Sequence, residues 1–223
     1  MLQRDDPRRL ELAMQGTRLG LWDWDMVSGQ TIFNDRWAEI IGYRLEDLQP
    51  TTIQAWVENS HPDDLERSNL AIAAHVAGET EYYDVEVRMK HRDGHWVWVH
   101  DRGRVVEWTA DGTPARMVGT HEDVTERVER EIALLEARTV FDNSLEGIVL
   151  LDPDERITRV NPSFTAITGW APEQVIGRSF DEIRTHSDDP AESERLRAAA
   201  RSSQGVRVKR DFFRPDGSSV PVL

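Results

Sequence analysis

The sequence repeats itself. Gly20-Leu21-Trp22 returns as Gly147-Ile148-Val149, Asn34 as Asn161, Trp37 as Phe164, Gly42-Tyr43 as Gly169-Trp170 and Glu46 as Glu173, every pair 127 positions apart. An offset held over so many positions limits the chain to two copies of one supersecondary unit. In 223 residues each copy has roughly 100, the size of a small domain with its own core. Arg92-Asp93-Gly94 returns as Arg214-Pro215-Asp216-Gly217 with the glycines only 123 apart, so the second copy has lost a few residues before that turn.

Within the first copy, Leu19 to Asp25 alternates, Ser28-Gly29 signals a turn and Gln30 to Phe33 follows, which reads as a β-hairpin. Asn34 can cap a helix whose buried face is Trp37, Ile40 and Ile41, ended by Gly42. Asp63 or Asp64 is expected to cap a longer helix from Leu65 to Val76, with Leu65, Leu70, Ala73 and Val76 at helical spacing and Gly78 at its end. The chain then turns to β structure. Tyr83, Val85, Val87 and Met89 alternate with Asp84, Glu86 and Arg88. The turn Asp93-Gly94 leads into Trp96-Val97-Trp98-Val99, and Asp111-Gly112 joins a strand ending near Val106 or Trp108 to another over Arg116 to His121. The unit is therefore two strands, helices, then three strands.

Thr125 to about Val140 holds no proline or glycine, and Val124, Val128, Ile132, Leu135 and Thr139 form a helical stripe. It serves either a short coiled coil or packing on a neighbouring domain. The second copy has a hairpin over Leu150 to Val160. Asn161 then caps with Pro162 at the first helical position, and Phe164, Ile167 and Thr168 make a face ended by Gly169. A helix over Glu194 to Ala200 and a strand over Val206 to Phe213 precede the Asp216-Gly217 turn, and the sequence stops in mid-strand at Leu223. The division is 1–16 as an amino-terminal helix or cap, 17–124 as the first domain, 125–140 as linker helix and 141–223 as an incomplete second domain.

Composition enters as a set of exclusions. Lys and Arg number 27 against 41 Asp and Glu, a formal net charge of −14. That surface repels phosphate backbones and anionic headgroups, so neither nucleic acid nor membrane is an expected partner. The absence of cysteine excludes disulfides, thiolate metal sites and cysteine nucleophiles, and fits a cytoplasmic chain. The longest aliphatic run, Ile148 to Leu151, is far too short to span a bilayer. His91, His95 and His100 gather around one hairpin without an acidic partner of defined geometry, so no metal site is expected. No catalytic triad order, phosphate loop, kinase or cyclase signature occurs, so no catalytic residue is expected.

The order of elements, the Gly-Leu-Trp-Asp-Trp-Asp opening at 20–25, His61-Pro62-Asp63-Asp64, and Arg92-Asp93-Gly94 ahead of Trp96 resemble PAS domains, in both copies. The first resembles the tryptophan-rich subclass. Glu122-Asp123-Val124-Thr125-Glu126-Arg127 is similar to the Asp-hydrophobic-Thr signature that joins such domains to a signalling helix. The resemblance implies an α+β fold of two PAS-like domains joined by a linker helix. Each would be a five-stranded antiparallel sheet with helices on one face, the last strand lying between the first and fourth. The second copy departs from this, lacking most of its fourth strand and all of its fifth, so unpaired edges and a fragment of a longer protein are expected.

The function implied is a cytoplasmic sensory input module. It would bind a small ligand or partner and relay the change through the linker helix to an effector, a histidine kinase or cyclic-dinucleotide enzyme. The alternative is a ligand-free dimerisation and interaction module with a filled core. A homodimer through the amino-terminal and linker helices is expected in either case. Pocket candidates are Trp24, Phe33, Trp37, Ile41, Trp56, Leu70, Val85, Val87, Trp96 and Trp98; relay candidates are Asp123, Thr125, Val128, Ile132 and Leu135. Trp22 and Trp24 share one strand face, as do Trp96 and Trp98, and periodicity leaves open whether each pair lines the cup or covers the opposite side. Glu86, Arg88 and Arg102 are read as cross-strand charge pairs. Where haem-binding relatives carry a histidine this chain has Arg67, and cysteinyl flavin needs a cysteine that is absent. No cofactor is expected, while non-covalent flavin or a small organic ligand stays open.

Overall fold

In the first copy, β1 (Gly20–Asp25) and β2 (Thr31–Phe33) form the hairpin, and β3 (Tyr83–Lys90), β4 (Trp96–Trp108) and β5 (Pro114–Asp123) follow the helices. All pairings are antiparallel in the order β2-β1-β5-β4-β3, so the last strand lies between the first and fourth. This computed structural model describes residues 16–183 and 210–222. The chain divides into two compact units between Glu131 and Ile132, inside the linker helix. The amino-terminal helix expected over 1–16 and the helix expected over Glu194 to Ala200 lie essentially outside the described residues.

Strand alternation decides what faces the core. Tyr83, Val87 and Met89 of β3 and Val97, Val99, Asp101, Gly103 and Val105 of β4 are buried, with Val85 half-buried on the same face, while the alternate residues face outward. Trp96 and Trp98 belong to the outward set, which corrects their expected place in the cup. The Trp96 ring packs 4.7 Å from His61, and the Arg88 guanidinium sits 5.5 Å above Trp98.

Helices α1 (Asp35–Ile40), α2 (Ile53–Asn59) and α3 (Pro62–Val76) cover the inner face. Asn34 caps α1: its Oδ1 accepts from the N–H groups of Trp37 and Leu21 at 3.0 and 2.8 Å. Gly42 follows with φ +78°, and the His91 imidazole occupies the space where a Cβ would stand, so only glycine fits both demands. Helix α3 corrects two expectations. Its cap is His61, whose Nδ1 accepts from the Asp63 N–H at 3.2 Å, and not an aspartate. Its buried face carries Asp64 and Ser68, so Leu70 is turned out and is 66% exposed. A stripe of apolar residues is a poor guide when the buried positions are polar groups with partners.

Those polar groups close the free edge of β3. The His61 N–H donates to Arg88 O at 2.8 Å, and the Arg88 N–H donates to Asp64 Oδ2 at 2.9 Å. Arg67 donates to the Glu86 carbonyl. An edge whose donors and acceptors are engaged cannot template pairing with another chain. The Arg88 side chain adds bonds to Asp64 at 2.8 and 3.0 Å. Burial raises the Asp64 carboxyl, but these bonds and the Arg67 charge outweigh it and hold the group below the usual carboxylate range. Of the expected charge pairs, only Arg102 with Asp84 crosses strands, at 3.4 Å; Arg88 goes to Asp64, and Glu86 to Arg127 of the linker helix.

The linker helix α4 (Thr125–Asn143) starts on β4. Trp98 donates its N–H to Thr125 Oγ1 at 2.9 Å, and the Val124 N–H donates to Trp98 O at 2.9 Å. Asp123 Oδ1 accepts from the Thr125 N–H at 3.0 Å. Val124 and Val128 are buried, whereas Ile132, Leu134, Leu135 and Val140 are exposed, so the apolar stripe changes character halfway along.

In the second unit, β6 (Val149–Leu151) pairs with β7 (Ile157–Val160) and β8 (Arg210–Phe213) with β9 (Ser219–Val222), as separate two-stranded sheets. Helices α5 (Pro162–Thr168) and α6 (Pro172–Val175) and a short turn at Phe180–Glu182 complete it. Ile157, Phe164, Val175 and Ile183 form its core. Asn161 repeats the work of Asn34, accepting from the N–H groups of Phe164 and Ile148 at 2.9 and 2.8 Å.

Candidate functional site

Two glycines make room for the first wall of a cavity in the first unit. Gly103 and Gly119 pair across β4 and β5, and the Trp22 indole lies over both. A Cβ on Gly103 would stand 2.4 Å from Trp22 Cη2, and one on Gly119 2.3 Å from Trp22 Cζ2, so no other residue permits this ring position. There the indole donates from Nε1 to Asp101 Oδ1 at 2.8 Å.

Asp101 anchors a buried polar cluster. Tyr83 donates its hydroxyl to Asp101 Oδ2 at 2.9 Å, and Ser68 Oγ lies 2.7 Å from the Tyr83 hydroxyl. His121 Nε2 lies 3.1 Å from Asp101 Oδ1. Burial, and then the Asp101 charge, push the Tyr83 phenol far above its ordinary range. The carboxylate thus has both oxygens engaged, as a buried charge requires.

The remaining walls are Trp24, Thr31 and Phe33 of the hairpin, Trp37, Ile53 and Trp56 of the helices, Ile72 of α3 and Met117 of β5. Phe33 and Trp37 are stacked with centroids 3.8 Å apart. The space between these groups admits water centres over about 30 Å³, room for roughly two waters. Among the described residues, four buried side-chain polar atoms have no protein partner: Trp24 Nε1, Trp37 Nε1, Trp56 Nε1 and Thr31 Oγ1. All four belong to residues that line this one cavity.

The structure brings together Trp24, Phe33, Trp37 and Trp56 of the expected pocket set. Ile41 and Val87 are fully buried in the surrounding core, and Val85 packs against it half-buried, none of them on the cavity wall. Leu70, Trp96 and Trp98 lie elsewhere. Asp101, His121, Tyr83 and Thr31 were not among the expected residues. Asp101 had a readable signal: it interrupts the inward series Val97, Val99 and Val105 with a charge. Among the described residues no group of His, Asp and Glu has the arrangement to hold a metal ion, and no helix is long and apolar enough to cross a membrane.

Two family models, both described as PAS fold, match residues 30–121 and 135–223. The chain is 31% identical to Two-component sensor PprA of Pseudomonas aeruginosa over 163 residues, covering 70% of this chain and 17% of that protein. It is 24% identical over 173 residues to Probable diguanylate cyclase DgcE of Escherichia coli, covering 76% of this chain and 15% of that one. The chain therefore spans under a fifth of the length of these two relatives. A solved sensory box histidine kinase/response regulator from Burkholderia thailandensis matches at 37% identity with a TM-score of 0.51, over 59% of this chain and 95% of that one.

Proposed function

The chain belongs to the PAS family, matched in both halves, and on that premise we propose that it is a cytoplasmic sensory input module of a longer signalling enzyme. Its first unit binds a small molecule in the tryptophan-lined cavity, and α4 relays the change to a histidine kinase or cyclic-dinucleotide effector. One observation carries this reading: four unpartnered polar atoms all belong to residues that line a single cavity. A buried donor without an acceptor is costly, about 1–3 kcal/mol each, so a core selected only for packing would avoid gathering several in one place.

The relay rests on the start of α4. Asp101 lies on β4 three residues from Trp98, whose backbone holds Val124 and Thr125. A ligand that favours one arrangement of the cavity biases β4, and through it Thr125, Val128 and the Glu86 to Arg127 bond, in proportion to its differential affinity for the two states. Ile132 and Leu135, exposed beyond Val128 on the same stripe, are the surface through which two copies of α4 pair. A second reading, a ligand-free dimerisation module, draws support from the narrowness of the cavity.

Native mass spectrometry of the full chain separates the two. The sensor reading expects a dimer carrying extra mass; a dimer of apo mass from cells grown under several conditions favours the filled-core module. A monomer at micromolar concentration, unchanged by Leu135→Asp, rejects pairing through α4.

A further inference from the structure

We infer that the cavity selects an uncharged hydrogen-bond acceptor, a carbonyl- or ether-type oxygen carried on only a few carbon atoms. This deepens the sensor reading and rests on it. An indole N–H donates and cannot accept, so the cavity-lining residues Trp24, Trp37 and Trp56 hold three unpartnered donors and no unpartnered acceptor. The Thr31 hydroxyl can turn to donate as well. A ligand made only of hydrocarbon leaves all of these unsatisfied.

Charge narrows the class. Asp101 is 3% exposed and lies on the same cavity, so a second carboxylate would be held in low dielectric beside the first. His121 can at most neutralise Asp101, which leaves no net positive charge to welcome an anion. Cations and amines fare no better. Asp101 Oδ1 already faces Trp22 and His121 and Oδ2 accepts from Tyr83, so at most one acceptor site is left on Oδ2, and an ammonium, which only donates, would leave every unpartnered indole N–H unsatisfied. What remains is a neutral acceptor whose carbon part lies against Phe33, Ile53, Ile72 and Met117. The volume, about 30 Å³ for water centres, limits it to roughly two to four non-hydrogen atoms.

Three probes of equal heavy-atom count test the class: acetone, sodium acetate and isopropylammonium chloride, each titrated into the full chain carrying ¹⁵N-labelled indoles. The 8 tryptophans give 8 indole signals, assigned by through-space contacts in the unaltered protein and checked with Trp56→Phe. Exposed Trp96 and Trp108 report nonspecific solvent effects. Acetone is expected to shift the Trp24, Trp37 and Trp56 signals saturably, with a midpoint at least tenfold lower than acetate and no saturable effect from isopropylammonium. Equal or tighter response to acetate overturns the class and leaves the sensor reading standing, as an anion site. Absence of any saturable shift also overturns the class; the sensor reading is then judged separately, by whether the native spectrum shows retained mass.

Discussion

Replacing Gly103 by alanine drives a methyl group into the Trp22 indole, whose Cη2 and Cζ2 would be 2.4 and 2.5 Å away, with Val118 O at 2.8 Å behind. The strands cannot part without breaking ladder bonds, so the indole must yield and its bond to Asp101 goes with it. Overpacking costs about 1–3 kcal/mol, and a hydrogen bond to a charged group contributes about 1.5–3 kcal/mol. A total of about 2.5–6 kcal/mol makes the slowest amides of β4 and β5 exchange roughly 10²- to 10⁴-fold faster. Native-state hydrogen exchange on the full chain reads this directly and is confined to the first unit. In a Trp22→Phe background the smaller ring relieves the contact with the indole but not the approach to Val118 O, so the same substitution should cost less than in the parent by about 1–3 kcal/mol. The coupling between the two positions is the diagnostic quantity. A Gly103→Ala cost below about 1 kcal/mol, or the same cost in both backgrounds, refutes the glycine-paved seat for Trp22.

Asp64→Asn removes the charge that Arg88 and the β3 edge depend on and is expected to cost about 2–4 kcal/mol by urea unfolding. Because Asp64 titrates below its unfolded value, its contribution is complete above about pH 4 and is lost as pH falls through the folded value, so the variant should show a shallower acid-side loss than the parent. Tyr83→Phe removes the hydroxyl between Ser68 and Asp101 at a cost of about 1.5–3 kcal/mol. Of the 3 tyrosines, Tyr83 should stay un-ionised in an alkaline absorbance titration until the first unit unfolds, its stabilising effect present below pH 10 and declining above it. His75→Phe deprives the Val105 N–H of its acceptor at the bulge of β4, and faster exchange at that amide with little change at Val99 is the expected result.

The order of elements is legible because it is written in local signals, while the place of the last strand between the first and fourth comes only from the resemblance to PAS domains. Period-two alternation placed β3 and β4, Asp-Gly turns placed their hairpins, and the repeat allowed each copy to check the other. Apolar periodicity places Leu70 on the inner face because it assumes that buried means apolar, whereas α3 buries Asp64 and Ser68, each paired to a group distant in sequence. Trp96 and Trp98 share a strand face that periodicity alone leaves unassigned, and only the burial of Val97, Val99 and Asp101 shows that this face is the outer one. The Asp101 cluster depends on pairings between β3, β4 and β5 that no single segment encodes, and the seat for Trp22 depends on two glycines that only the strand register brings opposite each other.

The second copy supplies an internal control for the role of the indole donors. At the repeat offset, Trp24 corresponds to Leu151, Trp37 to Phe164 and Trp56 to Ile183, so every donor position is apolar there. Phe164 and Ile183 are buried in the core of that unit, and Asn161 still caps its helix as Asn34 does. The same hairpin and capped helix are thus assembled from side chains that present no unpaired N–H, so these elements do not require tryptophan at these positions. An indole whose donor stays unsatisfied is an inferior core residue to phenylalanine or isoleucine by the desolvation of one N–H. Three such residues around one cavity, in the copy whose last strand leads directly into α4, are costs that packing does not explain and that an acceptor in the cavity would offset.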